Sequence, residues 1–213
     1  MCFSAISSFS AAGMLTGIGM LALLSVKRLS AYPRAVIPFG FALQQMCEGI
    51  VWVTYDNPEY YALTHAASVL FLIFAMIAWP VWIPFSLTIA ERSKVHRYKL
   101  GALTAFGVAI AAYGAFLLYI FPISVSITCH SIAYMYGNMS MLTQYLYTAA
   151  YVGAVVAPFF VSTLWFARLY GVLLSIALMV AWWVWYATAG SVWCFFAALL
   201  SSLIVVQLYF FEQ

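Results

Sequence analysis

The chain has 213 residues, of which 67% are hydrophobic and 6% charged, at a mean hydropathy of +1.05. No water-soluble domain needs so little polar surface, so these values exclude one and place the chain among polytopic helical membrane proteins, with the lipid bilayer as partner. The formal net charge of +3 is too small and scattered to serve nucleic acid, and its placement is more informative than its size.

Apolar runs of about twenty residues suit helices crossing about 30 Å of hydrocarbon, and not the roughly ten-residue alternating segments of a membrane barrel. The first span covers about residues 7–26 and ends at Lys27-Arg28. Positive charge follows the apolar run instead of preceding it, so this reads as a retained helix and not a signal peptide.

The second span, about 35–55 (AVIPFGFALQQMCEGIVWVTY), is the most informative stretch. Positions 44, 48, 52 and 55 recur at helical spacing with Gln45 beside them, so Gln44, Gln45, Glu48, Trp52 and Tyr55 share one face. A carboxylate in hydrocarbon costs at least a few kcal/mol, so this face must look at protein or water. Such residues are a functional site by default, and the plain alternative is an interhelical hydrogen-bond clamp.

The third span, about 62–90, contains WPVWIP, and Pro80 and Pro84 should kink it. The fourth runs over about 100–121, after ERSKVHRYK. A less hydrophobic segment from Pro122 to Ser140, rich in Ser and Tyr and holding Cys129-His130, reads as a loop. Spans at about 141–165, 170–188 and 192–211 complete an all-α, single seven-helix domain over residues 1–213.

Lys27, Arg28, Arg34, Arg92, Lys94, Arg97, Lys99 and Arg168 all fall on one side of this threading, which makes that side cytoplasmic, the N-terminus external and the C-terminus internal. Cys2, Asp56, Glu59, His65, Cys129, His130 and Cys194 then gather toward the outer end. Glu48 lies roughly 12 Å below Asp56 at 1.5 Å per residue. The expected site is an outward pocket floored by Gln44, Gln45 and Glu48, with walls from Trp52, Tyr55, Tyr134, Gln144, Tyr145, Thr148, Trp185 and Trp193.

Four cysteines allow several chemistries. A disulfide between two of Cys2, Cys129 and Cys194 suits an oxidising outer compartment, Cys2 with Cys194 being the pairing singled out. A zinc or copper site could instead draw on Cys2, Cys129, His130, His65, Cys194 and Glu48, although no pair has diagnostic ligand spacing. Inert buried thiols are the third reading, and an N-terminal Cys2 nucleophile a fourth. HExxH, GxSxG, P-loop and GxGxxG motifs are absent, no lysine sits in the last span, and no histidine pair is placed for haem.

Lys27-Arg28-Leu29 and Val51-Trp52 match Ala167-Arg168-Leu169 and Val184-Trp185, which suggests a three-plus-one-plus-three repeat of the kind some transporters use. Met1-Cys2-Phe3-Ser4, Gln44-Gln45-x-x-Glu48-Gly49-x-x-Trp52, Trp79-Pro80 and Ser191-Val192-Trp193-Cys194-Phe195-Phe196-Ala197-Ala198 together resemble an uncharacterised family of small bacterial membrane proteins that begin MCFS. That resemblance implies a bacterial inner-membrane protein and brings no activity or catalytic residue with it. Three functions follow as expectations: binding of a small polar ligand or metal ion in the outward pocket; a membrane enzyme at the outer leaflet with Glu48 or His130 as acid/base; or a small-solute transporter, against which the scarcity of polar residues in the inner halves of the helices counts.

Overall fold

A computed structural model of the protein describes residues 4–128, 130–137 and 139–211. Among these, seven helices are long and apolar enough to cross a membrane: α1 Ala5–Leu24, α2 Leu29–Thr54, α3 Pro58–Ala90, α4 Lys94–Ile120, α5 Met141–Val161, α6 Trp165–Val184 and α7 Tyr186–Phe210. Several start earlier than hydropathy alone suggests, and three have a side-chain cap that satisfies backbone donors of the first turn. Ser4 and Ser7 form a reciprocal cap on α1, Asn57 caps the first turn of α3, and Ser140 caps α5. Helix α4 continues through Lys94–Lys99, whose charged side chains do not prevent helical hydrogen bonding.

The chain is not purely α. The segment expected to be a loop forms an antiparallel hairpin, β1 Ile123–Thr128 and β2 Ser131–Tyr136, in register from Ile123 opposite Tyr136 to Thr128 opposite Ser131. Its two-residue turn places His130 at φ 56°, the left-handed region that such tight turns require. Ile132 and Ala133 are buried, and Tyr134 stacks on Phe71 of α3 at 4.7 Å. The hairpin therefore covers one end of the bundle, here called the hairpin end; the eight Lys and Arg occupy the links and first turns at the other, basic end.

Consecutive helices pack as neighbours, α3 also meets α5, and α7 returns to α1 and α2 to close the bundle. The interior thus lies among α2, α3, α5, α6 and α7. In the middle of α3, Phe74–Ala78 forms a π turn, with Trp79 N donating to the Phe74 carbonyl. Pro80 can donate nothing to Met76 four residues earlier, and the Met76 carbonyl accepts the Tyr147 hydroxyl of α5 at 3.4 Å. Pro84 likewise leaves the Pro80 carbonyl without its usual donor, and Gly107 of α4 packs onto that oxygen: a Cβ there would stand 1.9 Å from it. Seven residues on, a Cβ at Gly114 would lie 2.6 Å from the Tyr147 hydroxyl and 3.0 Å from the Met76 carbonyl. The expected kink is thus a wide turn, supported from α4 and α5.

Candidate functional site

The polar face of α2 is buried as its residue types demand. Gln44 and Gln45 are 0% exposed and Glu48 is 4% exposed. Trp79 Nε1 donates to Gln44 Oε1 at 2.9 Å, and the Gln44 side chain lies against the Cys194 thiol. Gln45 Nε2 donates to Glu48 Oε2 at 3.1 Å, while Ser191 Oγ donates to Glu48 Oε1 at 2.5 Å. Gln45 Oε1 has no partner among the described residues. The face therefore joins α2 to α3 through Gln44 and to α7 through Glu48.

Above Ser191, toward the hairpin end, lies a cavity of about 440 Å³, within the ~300–1,000 Å³ usual for small-molecule sites. Of the expected walls, Tyr134, Gln144, Tyr145, Thr148 and Trp193 border it. Gln44, Gln45 and Glu48 stand one layer behind; Ser191, Cys194 and Trp193 form the surface in front of them. Trp52 is half-buried in apolar packing and Tyr55 is exposed at the surface, both away from the cavity. Trp185 packs edge-on to Phe196 instead of lining it.

Several residues that shape this site, Ser191, Trp182, Tyr186, Tyr147 and Tyr151 among them, are not among the expected walls. Ser191 is the link between Glu48 and the cavity, yet it lies 143 positions away and no local pattern marks it. Trp182 and Tyr186 form a T-shaped pair at 5.2 Å, and the Tyr186 hydroxyl meets that of Tyr145 at 2.8 Å. Tyr147, Tyr151 and Trp193 continue as a run of rings with centroids 6.3 and 6.0 Å apart.

Beyond Tyr151, Trp193 and Cys194, which border both spaces, a second cavity of about 80 Å³ extends toward the basic end. Its lining is almost wholly apolar, with the buried Arg34 5.5 Å over the Phe166 ring.

The candidate metal donors do not converge among the described residues. Among the described residues no three His, Cys, Asp or Glu side chains form a group that could hold an ion. His65 is exposed and stacks on Tyr61 at 6.2 Å, and His130 is exposed at the hairpin turn. Glu48 and His130, the two candidate acid/base residues, therefore belong to different environments. Cys194 and Cys47 are free, buried thiols. Cys2 and Cys129, named for a disulfide or metal site, lie outside the described residues.

A second buried carboxylate sits at the basic end. Glu91, 2% exposed, accepts Ser93 N (3.0 Å) and Thr163 Oγ1 (2.7 Å) on one oxygen and Ser162 Oγ (3.0 Å) and Thr163 N (2.8 Å) on the other. Burial pushes its pKa up, but these donors outweigh it and hold the carboxyl down at about 2. It ties the α3–α4 link to the α5–α6 link, and it explains why α5 stops at Val161.

No curated protein and no solved structure matches this sequence. A family model does match, over residues 1–210, nearly the whole length. By that match the chain belongs to DUF6629, a family of unknown function.

Proposed function

We propose that the protein is a multi-pass protein of a bacterial inner membrane that binds a small polar ligand in the cavity at its hairpin end. The observation that carries this reading is the 440 Å³ space walled by rings and neutral hydrogen-bonding groups, with Ser191 connecting it to the buried Glu48. Concave sites with a few convergent polar groups are where small molecules bind, and a carboxylate kept within a span calls for a functional reason. The eight basic residues, gathered at the opposite end, favour a cytoplasmic basic end and an external hairpin.

The test uses Gly190, which borders the cavity and has open space where a Cβ would stand. A thermal-shift screen of small polar metabolites on the detergent-solubilised protein should find at least one stabilising compound. Gly190→Trp, which sets a large ring at the border of the cavity from a position where a Cβ meets nothing, should fold and lose that response. If no stabilising compound is sensitive to Gly190→Trp, the reading fails.

The inner cavity favours transport as a second reading. Tyr151, Trp193 and Cys194 border both cavities, and the π turn of α3 includes Met76, at the larger cavity, and is followed by Trp79, at the smaller.

A further inference from the structure

The outer cavity has a chemical signature beyond being polar. Among the described residues that border it there is no Asp, Glu, Lys, Arg or His. Its walls instead present Tyr134, Tyr147, Tyr151, Trp182, Tyr186 and Trp193, drawn from the hairpin, α5, α6 and α7. Aromatic faces carry negative potential, and a set of them around a desolvated space attracts a cation without needing a charge at contact. Besides the tyrosine hydroxyls, the neutral hydrogen-bonding side chains are Gln144 and Thr148, one turn apart on α5, and Thr188 and Ser191 near the start of α7.

The longer-range charges point the same way. The carboxyl nearest the cavity is Glu48, directly behind Ser191. Asp56 lies in the α2–α3 link and Glu59 in the first turn of α3 at the same end, whereas every Lys and Arg lies at the other end. An anionic ligand would enter a space with no cationic partner at its walls and a carboxylate behind its floor. Hydrated metal ions are poorly served too, since the side-chain oxygens at the walls are neutral hydroxyls and one amide, with no carboxylate or imidazole among the described lining residues.

We propose that the ligand is a small organic cation, an alkylated ammonium compound held by the ring cage, with the Ser191–Glu48 pair setting the sign of charge accepted. This rests on the cavity being a binding site, as proposed above, and names the class of its occupant.

The probes are choline, tetramethylammonium and 3,3-dimethylbutan-1-ol, the last having the shape of choline with carbon in place of the charged nitrogen. Binding is read on the full-length protein in detergent by tryptophan fluorescence and calorimetry. Choline or tetramethylammonium should bind saturably, and 3,3-dimethylbutan-1-ol at least about tenfold more weakly than choline, as expected when cation–ring attraction and not shape supplies the affinity. Trp182→Leu, at a ring already 41% exposed and therefore of small cost to folding, should weaken the cations about tenfold and leave the neutral analogue unchanged. Glu48→Gln, if folded by melting curve and circular dichroism, should narrow the gap between choline and its analogue; should that variant not fold, Trp182→Leu and Tyr186→Leu carry the test. Equal binding of choline and its neutral analogue overturns the organic-cation assignment and leaves the binding reading standing. The same holds if no cation binds but a neutral compound does and is blocked by Gly190→Trp. Absence of any compound sensitive to Gly190→Trp overturns both.

Discussion

Glu91 offers a prediction whose size can be worked from the structure. Its carboxylate is shielded from solvent yet accepts four hydrogen bonds from Ser93, Ser162 and Thr163, and these hold its pKa at about 2 against an ordinary 4.5. A carboxyl depressed on folding stabilises the folded state fully above its unfolded pKa, and that contribution is lost as pH falls through the window from about 4.5 to about 2. At about 1.4 kcal/mol per pH unit, the contribution at neutral pH is about 3 kcal/mol. Glu91→Gln removes the charge and sets an amide N–H against a donor from Thr163 or Ser162, so it should cost a similar amount, about 2–3 kcal/mol. The assay is reversible unfolding of wild type and variant in mixed micelles at pH 7 and near pH 3, followed by helical circular dichroism. Because the other acidic residues are common to both proteins, the informative quantity is the difference between them, which should shrink on acidification. A difference below about 0.5 kcal/mol at pH 7, or one that persists undiminished to pH 3, would refute the reasoning.

Four further outcomes are expected. Gly107→Ala places a Cβ 1.9 Å from the Pro80 carbonyl with backbone on both sides, and should destabilise by at least about 2 kcal/mol; Gly101→Ala on the same helix, with open space at its Cβ, should be neutral or slightly stabilising in the same unfolding experiment. Ser191→Ala leaves Glu48 with only the Gln45 donor, costing about 1–3 kcal/mol, whereas Glu48→Gln keeps a hydrogen-bonding group there; a larger loss of melting temperature from Glu48→Gln than from Ser191→Ala would contradict the arrangement. Cys194, 7% exposed and free, should resist an impermeant maleimide in the folded protein with or without reductant and react after denaturation, so reductant-dependent labelling of the folded protein would point to a bridge instead. A reporter active only in the cytoplasm should work when fused at the C-terminus and not after Glu59, and the reverse pattern would invert the proposed orientation.

The seven helices were legible because lipid leaves little freedom: backbone groups must be satisfied within each crossing, so apolar runs of sufficient length fold as helices. The hairpin was not, because 122–140 was read by its composition, and the alternation in ISVSIT and SIAYMY covers only six residues per strand. That Glu48 faces protein also followed from sequence, since solvation forbids the alternative. Its bond to Ser191 depends on the register of α7 against α2, which no local pattern encodes. The same limit explains His65, His130 and Cys194. All three sit toward one end of the bundle, but depth says nothing about angular position around it, and they lie in different surroundings, His130 on the hairpin turn, His65 exposed beside Tyr61 and Cys194 buried.

The weak point of α3 and the cavity wall are one piece of structure. Pro80 and Pro84 each remove a backbone donor from a helix that must remain satisfied in an apolar medium. The fold answers with the π turn, with Gly107 against one carbonyl, and with the Tyr147 hydroxyl on the other. Tyr147 also borders the cavity at the hairpin end, alongside Met76. A residue that merely filled space there could be replaced by Phe, but this one holds a backbone carbonyl with its hydroxyl while its ring faces Tyr113 on one side and Tyr151 on the other. The shape of the cavity wall is thus fixed by how α3 compensates for its prolines. This is why Gly107 and Gly114, neither of which borders the cavity, belong to the physical description of the site.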